Sequence, residues 1–304
     1  MRLISALAAL LLLTGCGAAS NEPGGLRRAD GSEIHWSLEM PSSGVAAGVL
    51  LVAQGSGCAP AATNPAVREA WAVAPGMALL SIEKLGVAPG DDPTDPISGC
   101  SAAYASGHTV SQRVADARAV LDHLAAGGTR LTPLVLFGGS EGGATVARLA
   151  AQVPATAVIV YSAGIGEPLA EAMKRVVPPF VAAELDAVIE RVRANPELAG
   201  DWGGNSLRWW ADIGEARLVD ELMASDAPVL LIQGERDQSA PVESARAAAA
   251  AYAAAGRCEL TYHEYPGYDH FMTDEAGIPH RDRVFARARL WLSDALRGRA
   301  GCGV

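Results

Sequence analysis

Residues 137–143 read F-G-G-S-E-G-G, placed between a short apolar run, Leu134–Phe137 (L-V-L-F), and a helical pattern, Gly142–Gln152. Gly138, Ser140 and Gly142 supply G-x-S-x-G, and the strand before and helix after give that pattern the context it needs. A strand that turns sharply into a helix forces the residue at the corner into strain. Glycines two positions either side let neighbouring backbone approach without a side-chain clash. The Ser140 oxygen is then expected above the sheet, at a helix N-terminus whose dipole favours developing negative charge.

Outward from this segment, apolar runs alternate with helical ones. Ala47–Ala53 (A-G-V-L-L-V-A), Met77–Ile82, Ala157–Tyr161 and Val229–Ile232 are short and almost wholly apolar, the pattern of parallel strands buried on both faces. Ser32–Met40 alternates polar and apolar and reads as an antiparallel edge strand. Thr261–Tyr265 reads as a late strand near the other edge. Val110, Val114, Ala117, Leu121 and Leu124 recur at helical spacing, with Thr109 placed to cap. Val242–Ala255 and Arg283–Leu296 are further helices. The expected fold class is therefore α/β, a mostly parallel central sheet flanked by helices on both faces. Residues 167–223 break the rhythm: Pro178, Pro179, Trp202, Trp209 and Trp210 fall among helical stretches without a clear strand, and a helical cap or insertion is expected there.

A serine nucleophile needs a base, and the base an orienting acid. The G-G-S-E-G-G turn, together with L-L-I-Q-G-E-R-D-Q-S-A-P at 230–241, resembles the α/β-hydrolases over about residues 50–296, in particular their dienelactone-hydrolase and prolyl-oligopeptidase-like branches. The resemblance implies the order serine, acid, histidine. Ser140 is then the nucleophile, Asp237 the acid in the loop after the strand Val229–Ile232, and His270 the base in the loop after the last strand. Glu235 competes with Asp237 at two residues' distance. Asp269 reads as structural, His263 as a packed or surface residue within a strand, and His280 lies beyond the loop. Gln54-Gly55-Ser56-Gly57 stands where the family carries its H-G oxyanion loop, with Gln54 in place of the His. The implied donors are the backbone N–H groups of Glu141 and of Ser56, with Gly57 the alternative to Ser56. The Glu141 side chain is expected either at solvent or beside an Arg; otherwise it attracts a cationic substrate group or favours the imidazolium. The tryptophans of the insertion either line an apolar acyl pocket or pack the cap. Hydrolysis of a small-molecule ester, thioester or amide through an acyl-enzyme is implied, with no metal and no organic cofactor. An ester hydrolase is the leading expectation, ahead of a peptidase or amidase and of a non-catalytic envelope-binding lipoprotein.

The N-terminus reads as an export signal. Arg2 precedes an apolar run, Leu3–Leu13, too short to span a bilayer stably. Leu13-Thr14-Gly15-Cys16 resembles the bacterial lipobox, which implies lipidation of Cys16 and a membrane anchor. Residues 1–15 are then signal peptide, 16–30 the lipidated Cys and a flexible tether, and 31–304 the hydrolase domain. Gly17 rather than Asp after Cys16 implies the outer membrane, periplasmic side. The four other cysteines, Cys58, Cys100, Cys258 and Cys302, suggest disulfides in an exported chain. Of the three possible pairings, Cys58–Cys100 would join two loops near the site and Cys258–Cys302 would pin the C-terminal tail. No C-x-x-C or other zinc spacing is present. The net charge of −10 and the lack of a Lys/Arg run argue against nucleic acid as a partner.

Overall fold

The structure, a computed structural model, describes residues 19–20 and 25–301. Cys16, the signal segment and Cys302 lie outside the described residues. Eight strands form the main sheet: β1 (Ala19–Ser20), β2 (Trp36–Glu39), β3 (Val49–Ala53), β4 (Ala78–Ile82), β5 (Leu134–Gly139), β6 (Ala157–Tyr161) and, after a two-stranded hairpin of β7 (Asp201–Trp202) and β8 (Asn205–Ser206), β9 (Val229–Gly234) and β10 (Leu260–Tyr265). Their spatial order is β1-β2-β4-β3-β5-β6-β9-β10. From β4 through β10 every neighbouring pair is parallel, while β2 runs antiparallel to β4. The expected edge position of β2 is corrected: the backbone of β1 pairs antiparallel on its outer side, so β2 lies one strand in. A two-residue strand carries no alternation to read.

The apolar runs are continuous because both sheet faces are covered. Val49, Leu51, Leu136, Val158, Val160 and Leu231 point to one core, and Leu50, Val52, Val135, Phe137, Ile159 and Leu230 to the other. The first face packs against α3 (Val110–Ala126), α4 (Glu141–Ala150) and α9 (Val242–Ala254). The second packs against α1 (Pro65–Trp71) and α10 (Arg281–Ala295). Thr109 caps α3 as expected, accepting from the Gln112 N–H at 3.0 Å.

Between β6 and β9 the chain forms α5 (Leu169–Lys174), α6 (Pro179–Ala194), α7 (Leu207–Ile213) and α8 (Leu218–Leu222), with the short β7–β8 hairpin before α7. That hairpin turns at Gly203 and Gly204, both at positive φ, and is too short for a period to show in sequence. Two helices, α1 and α2 (Ala102–Gly107), add to those expected from the sequence pattern. Cys58 and Cys100 are disulfide-bonded, with Cα atoms 5.6 Å apart, as expected. Cys258 is also disulfide-bonded; its expected partner, Cys302, falls outside the described residues. Among the described residues no helix is long and apolar enough to cross a membrane, and no cluster of His, Cys, Asp or Glu is set to hold a metal ion.

Candidate active site

Ser140 sits at the corner between β5 and α4 with φ 52° and ψ −124°, a conformation an L-residue adopts only when its surroundings impose it. Those surroundings are glycines. A Cβ at Gly138 would lie 2.1 Å from the Gly142 carbonyl oxygen, and one at Gly142 would lie 1.9 Å from the Ala53 carbonyl oxygen. The start of α4 therefore passes directly over the end of β3, and only glycine fits either crossing. The Ser140 N–H donates to the Tyr161 carbonyl at 2.9 Å, which pins the corner to β6. Ser140 holds the N-cap position of α4, yet its hydroxyl makes no capping bond, so the oxygen is left for chemistry.

Asp237 and His270 arrive from the loops after β9 and β10. His270 Nδ1 lies 2.8 Å from Asp237 Oδ2. Asp237 is buried, and its other oxygen accepts from the N–H groups of Ser239 and Ala240, both at 2.8 Å. Gln233 Nε2 donates to Oδ2 at 2.7 Å and to the Ala240 carbonyl at 2.7 Å. With Nδ1 engaged, Nε2 is the ring nitrogen left for Ser140, and both residues line one cavity of about 160 Å³. The competitors are placed elsewhere. Glu235 accepts from the Gly267 N–H at 2.9 Å, and Asp269 from the N–H groups of Phe271 and Thr273. His263 is on β10, where burial, and after it the nearby Arg287, lowers its pKa. His280 pairs with Asp274 at 2.8 Å.

The loop after β3 faces the same serine. A Cβ at Gly55 would lie 3.3 Å from the Ser140 Cβ, and Ser56 lines a second cavity with Ser140. Glu141 opens α4, so its N–H is one of the four that a helix leaves without an internal acceptor. Gln54, at the place of the family's His, is buried. It donates to the Ala59 carbonyl at 3.0 Å and accepts from Asn64 Nδ2 at 3.1 Å. Its side chain thus braces the loop rather than facing the reaction.

The Glu141 side chain corrects one expectation and meets another. It is 2 % exposed and does not reach solvent. Its Oε1 meets Arg113 at 2.8 Å, His108 at 3.0 Å and Lys84 at 3.4 Å, and its Oε2 accepts from Trp209 Nε1 at 3.0 Å. Both oxygens are thus engaged by the protein's own donors, none of which is His270. Burial alone would raise the Glu141 pKa; Lys84, His108 and Arg113 outweigh it and hold the carboxyl well below its ordinary value. Burial, opposed by Glu141, pushes the Lys84 ammonium down to about 7 and lowers His108 as well. Lys84 also donates to the carbonyls of Gly55 (2.5 Å) and Gly57 (2.7 Å), and Arg113 Nη2 to that of Gln54 (2.7 Å).

Lys84, Arg113, His108 and Gln233 have no place in the sequence reading. Each had a signal. Lys84 ends the apolar run Met77–Ile82 two residues on, and Gln233 interrupts the end of another. Arg113 falls on the apolar stripe of α3, between Val110 and Val114.

Ser140 stands between two cavities. The larger, about 360 Å³, lies under the cap and is lined chiefly by apolar side chains, among them Leu169, Met173, Val181, Trp210 and Ile213. Trp202, Trp209 and Trp210 line it and also pack on one another, as the packing reading expects. The smaller carries His270, Phe271, Tyr161 and Phe285, with Arg281 and Glu69 paired at 3.1 Å.

Fold and site together define a serine hydrolase of the α/β-hydrolase fold. Residues 101–277 match the Hydrolase_4 family (Serine aminopeptidase, S33), and the chain belongs to that family. The resemblance to α/β-hydrolases holds at the level of the superfamily, and S33 is the branch the match gives. Solved structures share the fold at low identity. Est1E from Butyrivibrio proteoclasticus, with ferulic acid bound, is 18% identical over 89% of this chain and 98% of its own, TM-score 0.64. A puromycin-hydrolyzing peptidase of Mycobacterium tuberculosis is 18% identical over 94% of this chain but 40% of its own, TM-score 0.61. A monoacylglycerol lipase of Paleococcus ferrophilus is 19% identical over 87% of this chain and all of its own, TM-score 0.55. No curated protein matches the sequence.

Proposed function

We propose that this protein is an exported hydrolase of carboxylic esters with apolar acyl groups, acting through an acyl-enzyme on Ser140. The observation that carries the reading is the cavity under the cap. It opens on Ser140, is mostly apolar, and its one carboxylate, Glu141, has both oxygens engaged. An aminopeptidase must hold a substrate ammonium near the nucleophile, and a desolvated ammonium without a counter-charge is costly. An acyl chain has no such requirement and gains from the burial.

In the proposed mechanism His270 Nε2 takes the Ser140 proton as the oxygen attacks the ester carbonyl. Asp237 holds the ring and stabilises its cation, and the N–H groups of Ser56 and Glu141 stabilise the oxyanion. The tetrahedral intermediate collapses, the alkoxide leaves with the proton from His270, and water, deprotonated by the same ring, frees the acid. Because His270 hands its proton to the leaving oxygen, the alcohol belongs in the cavity His270 lines, and the acyl group in the larger one. Thioesters fit the same scheme.

Export is supported by the Cys58–Cys100 bond, which persists in oxidising compartments. A lipid on Cys16 holding the protein at the periplasmic side of the outer membrane completes the reading. Incorporation of a tagged fatty acid, lost in Cys16→Ser, is the expected result.

A fluorophosphonate probe on the purified full chain, beside Ser140→Ala, tests the chemistry. Labelling of the parent alone is expected, followed by turnover of acyl esters above that of aminoacyl anilides. Faster turnover of the anilides would replace the ester reading with the peptidase one. An unlabelled, folded parent would move the assignment to a non-catalytic envelope protein.

A further inference from the structure

We propose that the side chains of Lys84, Arg113 and Glu141 are positioning residues that aim the oxyanion-binding amides; this rests on the assignment of those amides to Ser56 and Glu141. The physical link is the peptide plane. A trans peptide holds its C=O and N–H pointing in opposite directions. The Gly55 carbonyl and the Ser56 N–H belong to one such plane. Lys84 Nζ, its side chain 0 % exposed, takes the Gly55 carbonyl at 2.5 Å. Drawing that carbonyl into the interior turns the Ser56 N–H outward, to the side where Ser56 and Ser140 line a common cavity.

The adjoining planes are held in the same way. Arg113 fixes the Gln54 carbonyl at 2.7 Å, Lys84 fixes that of Gly57 at 2.7 Å, and the Cys58 N–H donates to Pro96 at 2.7 Å. The restraint has a reason to exist, because Gly55 and Gly57 flank the critical unit and glycine backbone turns over easily. If the 55–56 plane flipped, a carbonyl oxygen would replace the donor and repel the oxyanion.

Donor counting makes Lys84 specific for this task. An ammonium has three N–H bonds, and three acceptors surround it: Gly55 O, Gly57 O and Glu141 Oε1. Glu141 then ties the two halves of the oxyanion site together. Its amide is one donor, and its carboxylate pairs with both cations that hold the loop carrying the other.

The test compares an ester with its thionoester in the full chain, Lys84→Met and Arg113→Lys, with fluorophosphonate labelling of each. Aimed amides favour an oxyanion over sulfur, a poor acceptor, so a looser site narrows the preference for the ester. For Lys84→Met we expect kcat on the ester roughly 10²-fold lower, the loss typical of one oxyanion donor. KM should stay within about twofold, and the ester-to-thionoester ratio should shrink with kcat. Arg113→Lys keeps a charge on Glu141 but shortens the reach to Gln54, and about a tenfold loss with the same narrowing is expected. It decides the matter on the same readouts if Lys84→Met does not fold. A folded variant with parental kcat, or with ester and thionoester rates reduced equally, overturns the inference while leaving the labelled serine in place. A parent that does not label overturns the underlying assignment instead.

Discussion

The two flanks of Ser140 are built differently. On the acid–base flank, Asp237 is held by the amides of Ser239 and Ala240 and by Gln233, all within four residues of it, and the one long-range partner is His270. On the oxyanion flank, three carbonyls of one loop are held by a lysine just beyond β4 and an arginine on α3, and the carboxylate that joins them is on α4. The first flank is mostly local and the second mostly tertiary. Local bonding fixes a side chain's orientation with few partners. Aiming backbone amides at an empty point in space requires constraints from several elements at once.

The largest effect expected in this comparison is on the acid–base flank. Asp237→Asn keeps the shape but offers an N–H where His270 Nδ1 now donates, favouring the wrong tautomer. A kcat loss of about 10⁴-fold with an unchanged melting profile is expected, as for such a substitution in a serine triad. A loss below tenfold would mean that another carboxylate orients the ring.

On the oxyanion flank, Cys58→Ser with Cys100→Ser removes a cross-link spanning 42 residues. In the chain-entropy model this costs about 4 kcal/mol of stability, read as a lower denaturant midpoint. Because Lys84, Arg113 and Gln54 hold the loop independently, kcat at a temperature where the variant is folded should fall by less than about threefold. A collapse of kcat there would move the main constraint from the buried cations to the disulfide.

The cap cavity gives a smaller effect. Met173→Trp adds bulk where the proposed acyl chain lies. Rates on long-chain esters should fall roughly tenfold or more relative to acetyl esters, the scale on which an apolar pocket discriminates size. An unchanged chain-length profile would place the acyl group in the cavity beside His270.

The smallest effect is a pH dependence of stability. Burial, opposed by Glu141, holds the Lys84 ammonium at about 7; Arg113, His108 and Glu83 also face it, and the Tyr104 ring lies 5.8 Å from its Nζ. An unfolded lysine titrates near about 10.4. Between those values the unfolded chain binds the proton that the folded chain has released, so stability rises with pH. The burden is full below about pH 7 and is relieved above it. Denaturant melts of the parent and Lys84→Met at about pH 6.5 and about pH 9 should show the difference shifting in the parent's favour at the higher value. A constant difference would mean Lys84 keeps its proton throughout.

The amino-acid sequence by itself determined the elements whose signals are local. G-x-S-x-G between strand and helix placed Ser140, apolar runs of four to seven residues placed the buried strands, and Thr109 marked the start of α3, because each depends on neighbours in the chain. Asp237 and His270 were legible through a resemblance and through their positions just past strand ends. Only the tertiary structure decided the rest. Whether Glu141 met solvent or a cation depended on Lys84 and Arg113, which lie 57 and 28 residues away. Charged residues such as these read as surface when taken alone. They are buried because they meet one another and the carbonyls of the loop, and that mutual compensation is a property of three elements packed together rather than of any single segment.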